Sequence, residues 1–141
     1  MTCFWDGILH SLTLSELSQL SPIPLLSKPK PHELVRMLQA NNRRPSHVRW
    51  MNEPLSNQLQ QELWETVRDF TVSSITQGYL CSTCDAFLCL LCELIQIPIR
   101  HNYLQRTMIM YDYSMDSYRS SNSHTSRCLQ FASNQGHFWK Q

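Results

Sequence analysis

The sequence has no apolar run long enough to cross a bilayer and no strong excess of either charge. Its longest apolar run, residues 86–95, is interrupted by Glu93, whereas a spanning helix needs about 20 apolar residues. The N-terminus lacks the basic region and long apolar stretch of a secretory signal, so we expect a cytoplasmic protein. Basic and acidic residues number 12 and 11, and the Arg43, Arg44 and Arg49 cluster is typical of a solvated loop. We therefore expect no membrane or nucleic-acid partner.

Glycine is also scarce, which argues against a protein dominated by loops. The chain has 3 glycines in 141 residues, and 42% of its residues are apolar against 16% charged. This composition is typical of a globular protein rather than a disordered one. The length suits one domain covering residues 1–141. Without an export signal, we expect the six cysteines to be reduced thiols.

Apolar periodicity predicts helices first and strands near the C-terminus. The predicted helices cover residues 3–12, 14–20, 31–39, 54–70 and 85–96, and the last should be central and buried because it is apolar nearly all round. The predicted strands cover residues 97–103, 107–111, 128–131 and a last one that begins at His137. Pro98 requires an edge strand or a place at the strand's start. This order predicts an α+β domain with a small central sheet flanked by helices.

Two polar stretches are predicted as loops. Residues 41–52 form the first, and residues 112–126, rich in Ser, Tyr and Asp, form the second. The second is a mobile connection by default, and a lid over a site is the functional alternative.

A cysteine near one end and a histidine near the other are the strongest chemical signal. Cys3 stands where a helix begins, so amide N–H groups and the helix dipole favour its thiolate form. His137 can accept the thiol proton if the fold joins the two ends. This arrangement predicts a cysteine hydrolase with Cys3 as nucleophile and His137 as general base. His101, on a predicted strand, is the runner-up base.

Three stretches together resemble the ovarian-tumour (OTU) family of cysteine proteases, which includes deubiquitinases of cells and viruses. Cys3-Phe4-Trp5 resembles the family's nucleophile followed by a large apolar residue. Residues 78–99, with Gly-Tyr-Leu, Asp-Ala-Phe-Leu and Ile-Pro-Ile, resemble its turn, buried helix and following strand, and Gly136-His137-Phe138 resembles its C-terminal histidine and aromatic. The resemblance implies a papain-like fold and hydrolysis after the C-terminal glycine of ubiquitin or a ubiquitin-like modifier, without cofactor or metal. Compact members of this type occur in viral and mobile-element polyproteins, which implies a host cytoplasm if the origin is viral.

The chain departs from the family pattern at two places. Family members carry Asp-Gly-Asn directly before the nucleophile, whereas Met1 and Thr2 precede Cys3 here. The position two after the histidine, often an acid or amide that orients it, is Trp139. Asn134 or Asp6 is a possible substitute. Three interpretations stay open: a site completed by residues upstream, a Cys/His dyad enzyme, and an inactive protein-binding relative.

The aromatics and the central cysteines each have a structural and a functional interpretation. Trp5, Phe138 and Trp139 are core aromatics by default, and walls of a narrow substrate channel for a Gly-Gly tail if the ends meet. The pairs Cys81-x-x-Cys84 and Cys89-x-x-Cys92 allow a zinc-stabilised interaction domain. Only four residues separate the pairs, so buried core thiols are preferred and no metal site is predicted.

Overall fold

A mixed six-stranded sheet with helices packed against one face forms the body of the chain. The computed structural model describes residues 2–77, 81–104, 107–113, 127–134 and 137–141. Its helices are α1 (Cys3–Ser11), α2 (Leu14–Ser18), α3 (Pro31–Ala40), α4 (Asn57–Asp69) and α5 (Cys81–Ile95), with a 3-10 helix at Val72–Gln77. Its strands are β1 (Val48–Trp50), β2 (Glu53–Pro54), β3 (Ile99–Tyr103), β4 (Thr107–Tyr113), β5 (Leu129–Asn134) and β6 (His137–Lys140). The predicted α+β class is therefore confirmed.

The strand order places the C-terminal strand at an edge of the sheet. The order is β2-β1-β4-β3-β5-β6, and β3 and β5 run parallel while the other neighbours are antiparallel. Pro98 lies just before the central strand β3, and its carbonyl accepts a hydrogen bond from the Leu129 N–H at 2.9 Å. Of the two places predicted for this proline, the start of the strand is the one observed, because β3 is bonded on both sides.

Successive side chains of a strand point to opposite faces of the sheet, so only every second one faces the helices. Ile99, His101, Phe131 and Phe138 are all fully buried, and the strand registers put them on one side of the sheet. We call this side the helix-covered face, because the Phe138 ring packs there against Phe4 of α1.

Local signals account for the boundaries of α4. The Ser56 hydroxyl accepts a hydrogen bond from the Leu59 N–H at 3.1 Å, which caps the first turn. Leu63 and Val67 then bury one stripe of the helix against α5, as the four-residue spacing predicts. The observed helix starts three residues later than predicted because Pro54 belongs to β2.

Helix α5 is the central buried helix, as predicted, but it starts earlier than expected. It begins at Cys81 rather than at Asp85, and residues 86–92 are buried without interruption. It ends at Ile95, where Gln96 adopts a left-handed backbone with φ of 61°. Residues 78–83 were predicted as a turn; residues 81–83 are instead helical, and residues 78–80 lie outside the described part of the chain.

The largest difference from prediction is the hairpin of β1 and β2, whose first strand and turn fall in residues 41–52, expected to be a polar loop. Met51 and Asn52 form its turn with φ of 54° and 66°, the left-handed pair that a tight two-residue hairpin requires. A three-residue strand carries too little alternation to be recognised. β1 exists because it pairs with β4, more than 60 residues away. The predicted loop or lid covered residues 112–126. Residues 112 and 113 instead belong to β4, and residues 114–126 lie outside the described part of the chain.

Candidate active site

Helix α1 packs directly on strand β6, so the two ends of the chain meet. The rings of Phe4 and Phe138 are 4.8 Å apart. A Cβ on Gly7 would lie 3.0 Å from the Phe138 ring and 3.6 Å from the Lys140 nitrogen. Glycine therefore allows the helix backbone to approach the strand this closely.

The contacts of Gly7 and Ser11 show that α1 runs in the same direction as β6. Cys3 precedes Gly7 by four residues and so shares its helix stripe, one turn closer to the helix start. Gly7 lies against Phe138 and Lys140, so Cys3, about 5.4 Å before it along the helix, lies toward the start of β6. At the opposite end, Ser11 and the chain terminus line the same small groove.

Cys3 is the first residue of α1, as predicted, and is 9% exposed. Thr2 occupies the N-cap position, but its side chain makes no capping bond to the backbone. Its hydroxyl instead donates to the Asp6 carboxylate at 2.6 Å. Asp6, one of the two possible orienting residues, is thus engaged at the start of its own helix.

His137 is exposed and projects from the side of β6 opposite to Phe138. Its imidazole stacks on the Trp139 indole, with ring centroids 5.3 Å apart and an interplanar angle of 26°. Asn134, the other possible orienting residue, stands directly across from it on β5. Within the described residues, no hydrogen bond joins His137 to Cys3. Among the strands that the structure describes, β6 is the last of the sheet, so only β5 stands beside His137.

Two of the three aromatics proposed as channel walls lie in the core. Trp5 is 3% exposed and packs edge-on against Phe87 at 4.8 Å, and Phe138 is 1% exposed. Side chains so buried have no surface left with which to line a channel, so both serve as core aromatics. Trp139 is half-buried and is the member of the three that a substrate can still reach.

The runner-up base, His101, is fully buried on the helix-covered face. Its Nε2 lies 2.6 Å from the Ser133 hydroxyl, and its ring is 5.3 Å from that of Phe138. Burial lowers the pKa of His101 to about 4, so the imidazole is neutral near pH 7. A residue without exposed surface cannot meet a substrate, so His101 is not available as a base.

The four central cysteines lie along a single helix, which conflicts with the zinc interpretation. A rise of about 1.5 Å per residue separates Cys81 from Cys92 by about 16 Å, whereas tetrahedral thiolates bind one zinc at about 2.3 Å each. Cys84, Cys89 and Cys92 are buried in the core. Burial raises the pKa of the Cys89 thiol, with Cys92 and Asp85 adding to the effect, as expected for an inert core cysteine.

A buried carboxylate on α5 was not predicted from the sequence. Glu93 is 1% exposed, and its Oε2 lies 2.8 Å from His47 Nδ1 and 3.6 Å from an Arg43 nitrogen. The backbone N–H of His47 also donates to Oε1 at 2.8 Å. These bonds fasten residues 43–47 to the central helix. The one sequence signal was the single acid inside an apolar run, since such a charge is buried only with partners.

Comparison with known proteins gives no further support, since no family model, curated protein or solved structure matches the chain. Among the described residues, no helix combines the length and the apolar character that crossing a membrane requires.

Proposed function

We propose that this chain is an OTU-like cysteine peptidase with a papain-like fold. It would hydrolyse (iso)peptide bonds after the C-terminal glycine of ubiquitin or a ubiquitin-like modifier, in the cytoplasm. The packing of α1 on β6 supports the proposal best, because it brings the helix that begins at Cys3 against the strand that begins at His137. The substrate class is carried over from the resemblance in the sequence.

The proposed reaction proceeds through a thioester. His137 accepts the thiol proton as Cys3 Sγ attacks the scissile carbonyl, and an S–C bond forms. The imidazolium then gives that proton to the leaving amine as the C–N bond breaks. Water attacks the thioester with His137 again accepting a proton, which returns to the departing sulfur as the modifier leaves with a free carboxylate. No cofactor or metal takes part in these steps.

A catalytically inactive protein-binding module with the same fold is the second candidate. One observation favours it: the His137 imidazole stacks on Trp139 on the side of β6 away from Phe138. Peptidase activity requires that imidazole to swing around the end of the edge strand to the Cys3 thiol. A module that only binds its partner has no such requirement.

A ubiquitin carrying a thiol-reactive electrophile at its C-terminus tests the proposal. The wild-type chain should form a covalent adduct, and the Cys3→Ala variant should form none. Cys128→Ala is the matched control, because Cys128 is a partly exposed thiol just before β5 and its removal should leave the adduct intact. His137→Gln should slow the reaction by about 100-fold or more, as loss of a general base does.

No adduct from folded, reduced wild-type chain would contradict peptidase activity on ubiquitin. Binding of unmodified ubiquitin by that same sample would then support the inactive module.

A further inference from the structure

The connection between α2 and α3 is rich in proline, and its backbone is restricted. Residues 21–31 read Ser-Pro-Ile-Pro-Leu-Leu-Ser-Lys-Pro-Lys-Pro, with four prolines, and residues 21–30 contain no helix or strand. Each proline fixes its own φ and keeps the residue before it extended. Lys30, which precedes Pro31, has φ of −79° and ψ of 161°, close to the polyproline II conformation. A segment with so few accessible conformations loses little entropy when it binds.

Two bulky apolar side chains of this connection are exposed. Leu26 is 98% exposed and Ile23 69%, the highest values among the large apolar residues that the structure describes. Pro22 and Pro24, on either side of Ile23, are exposed as well. We call these four residues the apolar ridge. Single apolar residues are ordinary on a surface, whereas a contiguous group of this kind is typical of a contact site.

The apolar ridge is fixed to the body of the protein. Leu25, just before Leu26, packs against the hydrophobic core, and its N–H donates to the Ser18 hydroxyl at 3.1 Å. Two residues after Leu26, the Lys28 ammonium donates to the Leu9 carbonyl at 2.7 Å. Leu26 is therefore presented between two anchored residues. This preorganisation favours binding, because little of the segment remains to be ordered in a complex.

We propose that residues 22–31 are a docking segment for a partner protein whose groove has aromatic walls and an acidic rim, as in SH3 and WW domains. Proline and aliphatic side chains of a preformed extended segment pack on flat aromatic rings. The acidic rim follows from charge, because residues 17–32 include two lysines but no Asp or Glu, and Lys30 is exposed. The inference does not depend on the peptidase proposal.

A lipid surface is the other contact that exposed apolar and basic residues can make. Residues 21–31 contain no Trp or Tyr, the side chains that anchor proteins at a membrane interface. Two lysines are also fewer than the clusters of about four to eight basic residues that bind anionic lipids. The composition of the segment therefore favours a protein groove.

Purified SH3 and WW domains, screened as an array against the folded chain, test the proposal. At least one domain should bind, and titration calorimetry then measures its dissociation constant. The double variant Ile23→Ser/Leu26→Ser should weaken that binding at least about 10-fold, because it removes both exposed apolar anchors. Lys30→Gln should weaken it about 2- to 5-fold, with a smaller effect at high salt. Met51→Ser is the matched control: Met51 is 50% exposed but lies in the turn between β1 and β2, so affinity should stay within about twofold.

An NMR titration of the isotopically labelled wild-type chain locates the contact without any variant. When the bound domain is added, the amide signals that move should be those of the non-proline residues from 23 to 30. Shifts centred on another surface would contradict the proposal even if a domain binds.

Three further results would overturn the proposal. No SH3 or WW domain binds, or the domain that binds has equal affinity for wild type and Ile23→Ser/Leu26→Ser. In the third, the double variant instead abolishes dimerisation seen by sedimentation, or binding to phosphatidylserine vesicles, and the apolar ridge then belongs to a second copy of the chain or to a membrane. None of these results bears on the adduct with the ubiquitin electrophile, so the two proposals are tested separately.

Discussion

Acidification should destabilise this protein through His101, which is buried as a neutral imidazole. The folded state holds its pKa at about 4, whereas the unfolded chain restores the ordinary value near 6.5. Between pH 4 and pH 6.5 the His101 imidazole is protonated in the unfolded state but neutral in the folded state. The stability contribution is therefore complete above about pH 6.5 and is lost as the pH falls toward 4.

The size of the loss follows from the shift in pKa. A fall from 6.5 to about 4 corresponds to roughly 3 kcal/mol at about 1.36 kcal/mol per unit. Linkage gives about 2 kcal/mol of this loss by pH 5 and about 3 kcal/mol by pH 4. Solvent screening does not reduce this free energy, because the His101 side chain is fully buried and its Nε2 is hydrogen-bonded to Ser133.

Urea unfolding at a series of pH values between 8 and 4 measures this effect. Carboxylates also titrate at the lower end, so the informative quantity is the difference between wild type and His101→Gln. The glutamine amide can still bond Ser133 but does not titrate. The wild-type advantage over the variant should shrink by about 2 kcal/mol between pH 8 and pH 5.

Equal pH dependence in wild type and His101→Gln would refute the reasoning. If the variant does not fold, an NMR titration of the His101 imidazole in the wild-type chain decides instead. A midpoint near 6.5 would show that burial does not depress the pKa.

Two further substitutions test buried contacts of the fold. Gly7→Ala gains helix propensity, but its Cβ would lie 3.0 Å from the buried Phe138 ring, so overpacking should leave a net loss of about 1–2 kcal/mol. Urea unfolding measures it, and adding Phe138→Leu should recover part of the loss; strictly additive effects would contradict the contact. Glu93→Gln removes the charge that holds His47 at 2.8 Å and should cost about 1–2 kcal/mol in the same assay. The exposed Asp69→Asn control should change little, and equal effects of the two would refute the role of burial.

Local patterns carried most of the helical prediction. The four-residue stripe of α4 and the apolar run of α5 predicted that these two helices pack against the core, because an apolar helix face is buried there. Local patterns do not predict β1, because its three residues become a strand only through pairing with β4. The start of α5 was also missed, since Cys81 to Cys84 carry no strong helix signal.

The sequence by itself determined that a cysteine begins the first helix and a histidine begins the last strand, since both follow from neighbouring residues. Only the tertiary structure decided that α1 lies on β6, that His101 is buried against Ser133 32 residues away, and that His137 faces Trp139. Period-two alternation shows that neighbouring side chains point to opposite sides of a sheet, but not which side meets the helices. That choice depends on contacts between distant parts of the chain, and it decides which histidine is available for chemistry.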